Sequence, residues 1–188
     1  LKSLAEEKQA LRREIRSLRR GFVMAGGLPD IALPALLERR IAKGTVIAAY
    51  LPMRFEADPG PLAQRARELG ARIALPYIET PAVPMRFLEW TPGDETEVNN
   101  HAIRQPLRHA EELVPDIILT PLLAFDDALH RLGQGRGYYD RAFAHFGNAL
   151  RVGVAWSIQE VPAVPVESWD EPLDAVVTER GLFSKAAL

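Results

Sequence analysis

A chain of 188 residues, 47% hydrophobic and 26% charged with a net charge of -2, has the composition of an ordinary globular protein and can bury a core without metal or disulfide support. It contains no cysteine, which excludes disulfides, thiolate metal sites and a cysteine nucleophile. A near-neutral charge argues against whole-surface attraction to nucleic acid, and no apolar run approaches the roughly 20 residues of a membrane span. The amino-terminal stretch is charged rather than signal-like, so a cytoplasmic protein with neither a nucleic-acid nor a membrane partner is expected.

The first twenty residues, LKSLAEEKQALRREIRSLRR, are locally basic. Leu1, Leu4, Leu11, Ile15 and Leu18 recur at helical spacing and predict an amphipathic helix. Its basic side reads either as a solvated face or as a source of cations for a phosphate-bearing ligand, and the pattern alone does not choose. TVIAAYLP at 45–52 reads as a buried strand, and PLAQRARELG at 61–70 as a helix ended by Gly70. RIALPYI, MRFLEW and DIILTPLLAF read as three further strands, the last covering 116–125. YYDRAFAHF has helical spacing, and RVGVAW and LDAVVTE read as two closing strands. Strands alternating with helices predict a single α/β domain over 1–188: a three-layer open sheet, mostly parallel, with helices on both faces. Residues 76–92 look like loop around one strand, and 159–172 like a long connection near the sheet's carboxyl ends, where such folds keep their sites.

Between the fourth strand and the next helix lies RLGQGRGYYDR, residues 131–141. Glycines at 133, 135 and 137 allow positive φ and bring backbone N–H groups close to an anion, and the following helix start adds donors and its dipole. Arg131 and Arg136 supply forked donors suited to phosphate oxygens. The spacing matches neither the dinucleotide nor the P-loop fingerprint. A flexible strand-to-helix connection would carry glycines too, but hardly with two arginines and an aspartate. Asp140 beside a phosphate cradle calls for an intervening cation, since Mg²⁺ binds through one or two carboxylates plus phosphate oxygens, so a metal–nucleotide ligand is expected. Tyr138 and Tyr139 offer ring faces and hydroxyls to a second, ring-bearing substrate, with one of the pair expected in the core. Histidines 101, 109, 130 and 145 show no ligand spacing, and Trp90, Trp156 and Trp169 read as core, only Trp169 standing near the site in sequence.

PLLAFDDALHRLGQGRGYYDR at 121–141, with KQALR at 8–12, YLPMRFEAD at 50–58 and VPVESWDEPLDAVVTE at 164–179 in the same order, resembles the 5-formyltetrahydrofolate cyclo-ligase (5,10-methenyltetrahydrofolate synthetase) family over almost the whole chain. The resemblance implies an open α/β fold and an ATP- and Mg²⁺-dependent ring closure of 5-formyltetrahydrofolate (folinate) to 5,10-methenyltetrahydrofolate, releasing ADP and phosphate. It further implies that Lys8 and Arg12 touch ATP, together with Arg131, Leu132, Gly133, Gln134, Gly135, Arg136, Gly137, Tyr138 and Tyr139. Leu51, Glu56 and the stretch Gln134, Gly135, Arg136, Gly137, Tyr138 would contact the folate. Asp140 and Asp170 would be the metal carboxylates, and Arg131, Arg136 and Tyr138 the catalytic groups. Two residues depart from the family's pattern: Leu129 stands where glycine is common, and Gln134 where an aromatic is frequent. Two other readings stay open: another ATP-dependent ligase or kinase using the same cradle, and a non-enzymatic module whose basic helix meets nucleic acid.

Overall fold

The computed structural model describes residues 3–80, 83–99 and 103–185, so Leu1 and His101 lie outside the described residues. The chain opens with α1 (Leu4–Met24), nucleated by a capping box in which the Glu6 N–H donates to Ser3 Oγ at 3.3 Å and the Ser3 N–H donates to Glu6 Oε2 at 2.8 Å. There follow α2 (Ala35–Glu38), β1 (Val46–Ala48), α3 (Gly60–Glu68), β2 (Arg72–Tyr77) and β3 (Arg86–Glu89). A small antiparallel pair, β4 (Thr96–Val98) and β5 (Arg104–Pro106), precedes β6 (Ile117–Pro121) and a two-stranded ribbon, β7 (Ala124–Phe125) and β8 (Arg131–Leu132). The chain then forms α4 (Tyr138–His145), β9 (Leu150–Val154), β10 (Ala175–Thr178) and β11 (Gly181–Ser184).

Seven strands form one sheet in the order β11-β10-β9-β6-β1-β2-β3. The five inner strands are parallel, and β3 and β11 close the two edges antiparallel. Side chains alternate across this sheet. Ile47, Ile73, Leu119 and Val152 pack under Leu37 of α2 and Leu62 and Ala66 of α3. Ala48, Ala74, Ile118 and Val176 face the other way, toward Ala142 and Phe143 of α4. Helices therefore cover both faces, as the alternation of strand and helix patterns predicts. Gly153 of β9 lets the layers meet, since a Cβ there would lie 2.6 Å from Leu122 and 2.7 Å from Leu173.

Three details differ from the sequence expectation. The stretch 116–125 is not one strand: after Pro121 the chain leaves the sheet, and the Leu123 N–H donates to Leu132 O at 2.7 Å in the ribbon. Its unbroken apolar character reflects burial in two different settings, which a hydropathy run cannot separate. The closing part of the sheet has the additional edge strand β11, whose residues are half-buried or exposed and give no apolar run. The buried face of α1 is also rotated from the leucine stripe. Leu18 is 45% exposed, whereas Lys8, Ile15 and Arg19 are buried. Ile15 packs on Ala124, Leu132 and Val164, so α1 lies across the ribbon at the carboxyl end of the sheet.

Candidate functional site

The ends of β1, β2 and β6 open into a cavity of about 1040 Å³, lined by Tyr50 and Leu51, by Pro76 and Ile78, and by Pro121 and Leu122. It lies outside the carboxyl ends of the strands, where open α/β sheets bind ligands. The volume is at the upper end of the range for a single small-molecule site and gives room for two substrates side by side.

One wall is the turn between β8 and α4. Gly135 has φ +96° and Gly137, the residue capping α4, has φ +65°. Gly133 takes an ordinary φ, so its part in the cradle is different from the one expected: a Cβ there would come within 3.2 Å of Arg131 Nη1. Gly135 likewise leaves room for Arg12, whose Nη2 would sit 3.2 Å from an added Cβ. The turn thus owes its shape both to left-handed backbone and to the close approach of two guanidinium groups.

Helix α1 supplies the facing wall. Lys8, Arg12, Arg16 and Arg19 recur every three or four residues and all line the cavity, so the basic side of the helix is turned inward. Arg12 Nε donates to Gly133 O at 2.9 Å, and Arg16 Nη2 to Gln134 Oε1 at 2.8 Å. Lys8 Nζ donates to Asp170 Oδ2 at 2.5 Å and Glu167 Oε2 at 2.8 Å, fastening the 159–172 connection to the helix. Burial opposes the Lys8 charge, but the hydrogen bonds to Asp170 and Glu167 outweigh it and raise the pKa above the usual lysine value. Arg131 is buried on β8, donates to Asp140 Oδ1 at 2.5 Å and stacks 5.0 Å from the Phe143 ring centroid. Burial works against its charge and Asp140 works for it.

The segment after β1 also lines the cavity. Glu56 closes a turn in which the Met53 N–H donates to Glu56 Oε2 at 2.9 Å and the Glu56 N–H to Met53 O at 2.9 Å. Phe55 in that turn has φ +69°, a conformation that non-glycine residues adopt only at a cost. Tyr50 donates to Ala57 O at 2.7 Å, and burial, then the charge of Glu56, pushes its pKa up. Tyr139 is shifted the same way by the same two causes, so both phenols stay protonated donors at neutral pH. Tyr138 is buried in the core yet still lines the cavity, as Tyr139 does.

Every site residue inferred from sequence borders this one cavity: Lys8, Arg12, Leu51, Glu56, the run from Arg131 to Asp140, and Asp170. Asp140 and Asp170 are each paired with a cation, and no group of three metal-binding side chains occurs among the described residues. Two carboxylates on a cavity wall suit Mg²⁺ held jointly with ligand phosphates, not a cage made by protein alone. Sequence reasoning missed Arg16, Arg19, Tyr50 and Glu167. The three- and four-residue spacing of Lys8, Arg12, Arg16 and Arg19 carried the signal for two of them. Trp169, expected in the core, is 66% exposed and lies at the cavity beside Asp170, while Trp156 is buried. Of the histidines, 109 and 145 are exposed and His130 is half-buried against Asp126, with Nδ1 3.2 Å from Asp126 Oδ2.

Comparison with known proteins gives this arrangement a context. The model of the 5-formyltetrahydrofolate cyclo-ligase family matches residues 4–179. The 5-formyltetrahydrofolate cyclo-ligase of Escherichia coli K12 is 36% identical over 139 residues, 70% of this chain and 76% of that protein. The Haemophilus influenzae protein of the same name is 31% identical over 181 residues, 89% of this chain and 95% of its own length. The solution structure of 5,10-methenyltetrahydrofolate synthetase from Aquifex aeolicus superposes with a TM-score of 0.68 at 28% identity, covering 94% of this chain and 92% of that one. Matched by the family model over nearly its whole length, with its glycine turn and basic helix closed around one cavity, this chain belongs to the 5-formyltetrahydrofolate cyclo-ligase family.

Proposed function

We propose that the protein catalyses the ATP-dependent cyclisation of 5-formyltetrahydrofolate to 5,10-methenyltetrahydrofolate, with ATP at the glycine turn and the folate between that turn and the Leu51–Glu56 segment. The observation that carries this reading is one cavity lined by two chemically distinct sets of groups: a glycine turn faced by Lys8 and Arg12, and a carboxylate, Glu56, close to Tyr50 and Tyr139.

A formamide carbon is a poor electrophile, so its oxygen must become a leaving group. The formyl oxygen attacks the γ-phosphorus of ATP and ADP departs. N10 then attacks the formyl carbon and loses its proton. The carbon–oxygen bond breaks, phosphate leaves with the former formyl oxygen, and an N5–CH–N10 amidinium remains. Phosphoryl transfer of this kind depends on positioning and charge neutralisation. Arg131 and Arg136 offer forked donors to the phosphoryl oxygens, the Gly133–Gly137 backbone shapes the cradle, and Lys8 and Arg12 close over it. Mg²⁺ shared by Asp140, Asp170 and the phosphates would offset the remaining charge. Glu56 accepts hydrogen bonds from the pterin and turns N5-formyl toward ATP, and the Tyr138 hydroxyl lies between the two substrates. Lys8, Arg12, Arg16 and Arg19 line the cavity, which leaves Arg13 and Arg20 as the outward-facing cations of α1, a small positive surface for gripping nucleic acid.

The test is an absorbance assay for methenyltetrahydrofolate from 5-formyltetrahydrofolate, with ATP and Mg²⁺ omitted in turn. Product that requires both supports the reading, and folded protein that binds ATP but forms no product refutes the folate assignment.

A further inference from the structure

Arg19 is 6% exposed on the cavity-facing side of α1. Among the described residues it enters no ion pair. Its one hydrogen bond is a long 3.5 Å contact from Nη1 to Leu122 O, and its Nε is buried with no partner. A desolvated guanidinium with so little compensation is unfavourable for folding. The fold does not need it for anchorage either, since Ile15, Phe22 and Val23 supply the apolar contacts of the same helix. Its neighbours on the helix are satisfied: Lys8 by two carboxylates, Arg12 by Gly133 O and Arg16 by Gln134. Arg19 alone among these four cations lacks a good partner among the described residues, and it faces a cavity.

The position of Arg19 says what that partner must be. It stands one helical turn beyond the groups that hold the glycine turn, and it lines the cavity together with Glu56 and Tyr50, its neighbours there. At neutral pH the charge that acts on it favourably is that of Glu56, although burial outweighs it. A reduced pterin presents along one edge a 2-amino group, an N3–H and a 4-oxo oxygen: two donors and then an acceptor. A carboxylate satisfies the two donors but nothing about it can serve the oxygen. A forked cation beside that carboxylate completes the match.

We propose that Arg19 is a substrate-binding residue that donates to the 4-oxo oxygen of the pterin and, with Glu56, reads the whole edge of the ring. This rests on the cyclo-ligase reading given above. Arg19→Met keeps the length and apolar stem while removing the charge, and Arg19→Lys keeps the charge while removing the fork. Steady-state kinetics with 5-formyltetrahydrofolate, and inhibition by its 4-amino-4-deoxy analogue, are measured for each protein beside thermal melts.

The expected result for Arg19→Met is a rise of roughly 10- to 100-fold in KM for the folate, the size of losing a hydrogen bond from a charged donor. The KM for ATP should stay within about twofold. The preference for the 4-oxo over the 4-amino ring should shrink by roughly tenfold or more, with a melting temperature equal to or above that of the parent protein. Arg19→Lys should fall between the two in ring preference, and it carries the test if the Met variant does not fold. Unchanged ring preference in both folded variants overturns the proposal, as does a melting temperature that falls while folate KM is untouched, which would make Arg19 structural. Failure of the parent protein to form product would overturn the cyclo-ligase reading and this proposal together, whereas product with unchanged ring preference overturns the role of Arg19 alone.

Discussion

Lys8 and Asp170, 162 residues apart in the chain, meet at 2.5 Å on the cavity wall, so the first helix and the last long connection are tied together at the site itself. In the proposed reaction this lysine exchanges carboxylate contacts for phosphate oxygens when ATP enters. Lys8→Ala should lower kcat/KM for ATP by roughly 10²-fold, the scale of removing one charged stabiliser from a preorganised site. Folate binding, measured by equilibrium titration without ATP, should change little. Equal losses for both ligands would show that the lysine organises the cavity as a whole.

Gly135 and Gly147 make a controlled pair. Gly135 has φ +96° and sits against Arg12, whereas an added Cβ at Gly147 meets nothing within 4 Å and its φ is ordinary. Gly135→Ala should carry about 1–2 kcal/mol of backbone strain and displace Arg12, weakening ATP binding. Gly147→Ala should leave ATP binding unchanged. Isothermal titration with ATP distinguishes them.

Leu129 shows how a departure from the family's pattern is tolerated. It has φ +64° in the turn of the β7–β8 ribbon, where its N–H donates to Asp126 O at 2.9 Å, and it is 4% exposed. The common glycine would remove about 1–2 kcal/mol of left-handed strain. It would also forfeit about 1.5–3 kcal/mol of apolar burial and add the entropy penalty of glycine. Leu129→Gly should therefore destabilise the protein by about 1 kcal/mol, lowering the melting temperature by a few degrees, with kcat unchanged.

The acid limb of stability should report the Arg72–Glu89 pair between β2 and β3, with oxygen–nitrogen distances of 2.8 and 2.9 Å. Hydrogen bonding to Arg72 holds the Glu89 pKa below its ordinary 4.5. The stabilisation is complete above pH 4.5 and is lost as the pH falls through the lower folded value. Glu89→Gln should melt below the parent protein at neutral pH, and the gap should close in acid. A gap that persists at low pH would assign the difference to packing.

The layered α/β fold was legible because alternating buried positions such as Ile47, Ala48 and Ala49, set between helical stretches, fix a sheet covered on both faces. The glycine turn was legible because clustered glycine and arginine have few structural uses together. Arg19 and Arg16 were not, since a basic helix face looks the same whether it meets solvent or a cavity. Which way it turns is decided by Ile15 docking on Leu132 and Val164, a tertiary contact that periodicity does not contain. The β7–β8 ribbon escaped for a similar reason: Leu122, Leu123, Ala124 and Phe125 are all buried, though only the last two are in a strand.

The central claim is that the formyl oxygen is phosphorylated at the glycine turn before the ring closes. The most direct measurement uses 5-formyltetrahydrofolate carrying ¹⁸O in the formyl group, with ATP and Mg²⁺, and mass analysis of the inorganic phosphate released. One ¹⁸O in each phosphate per methenyltetrahydrofolate formed is the expected result. Methenyltetrahydrofolate formed with unlabelled phosphate, the ¹⁸O passing to water, would contradict the account.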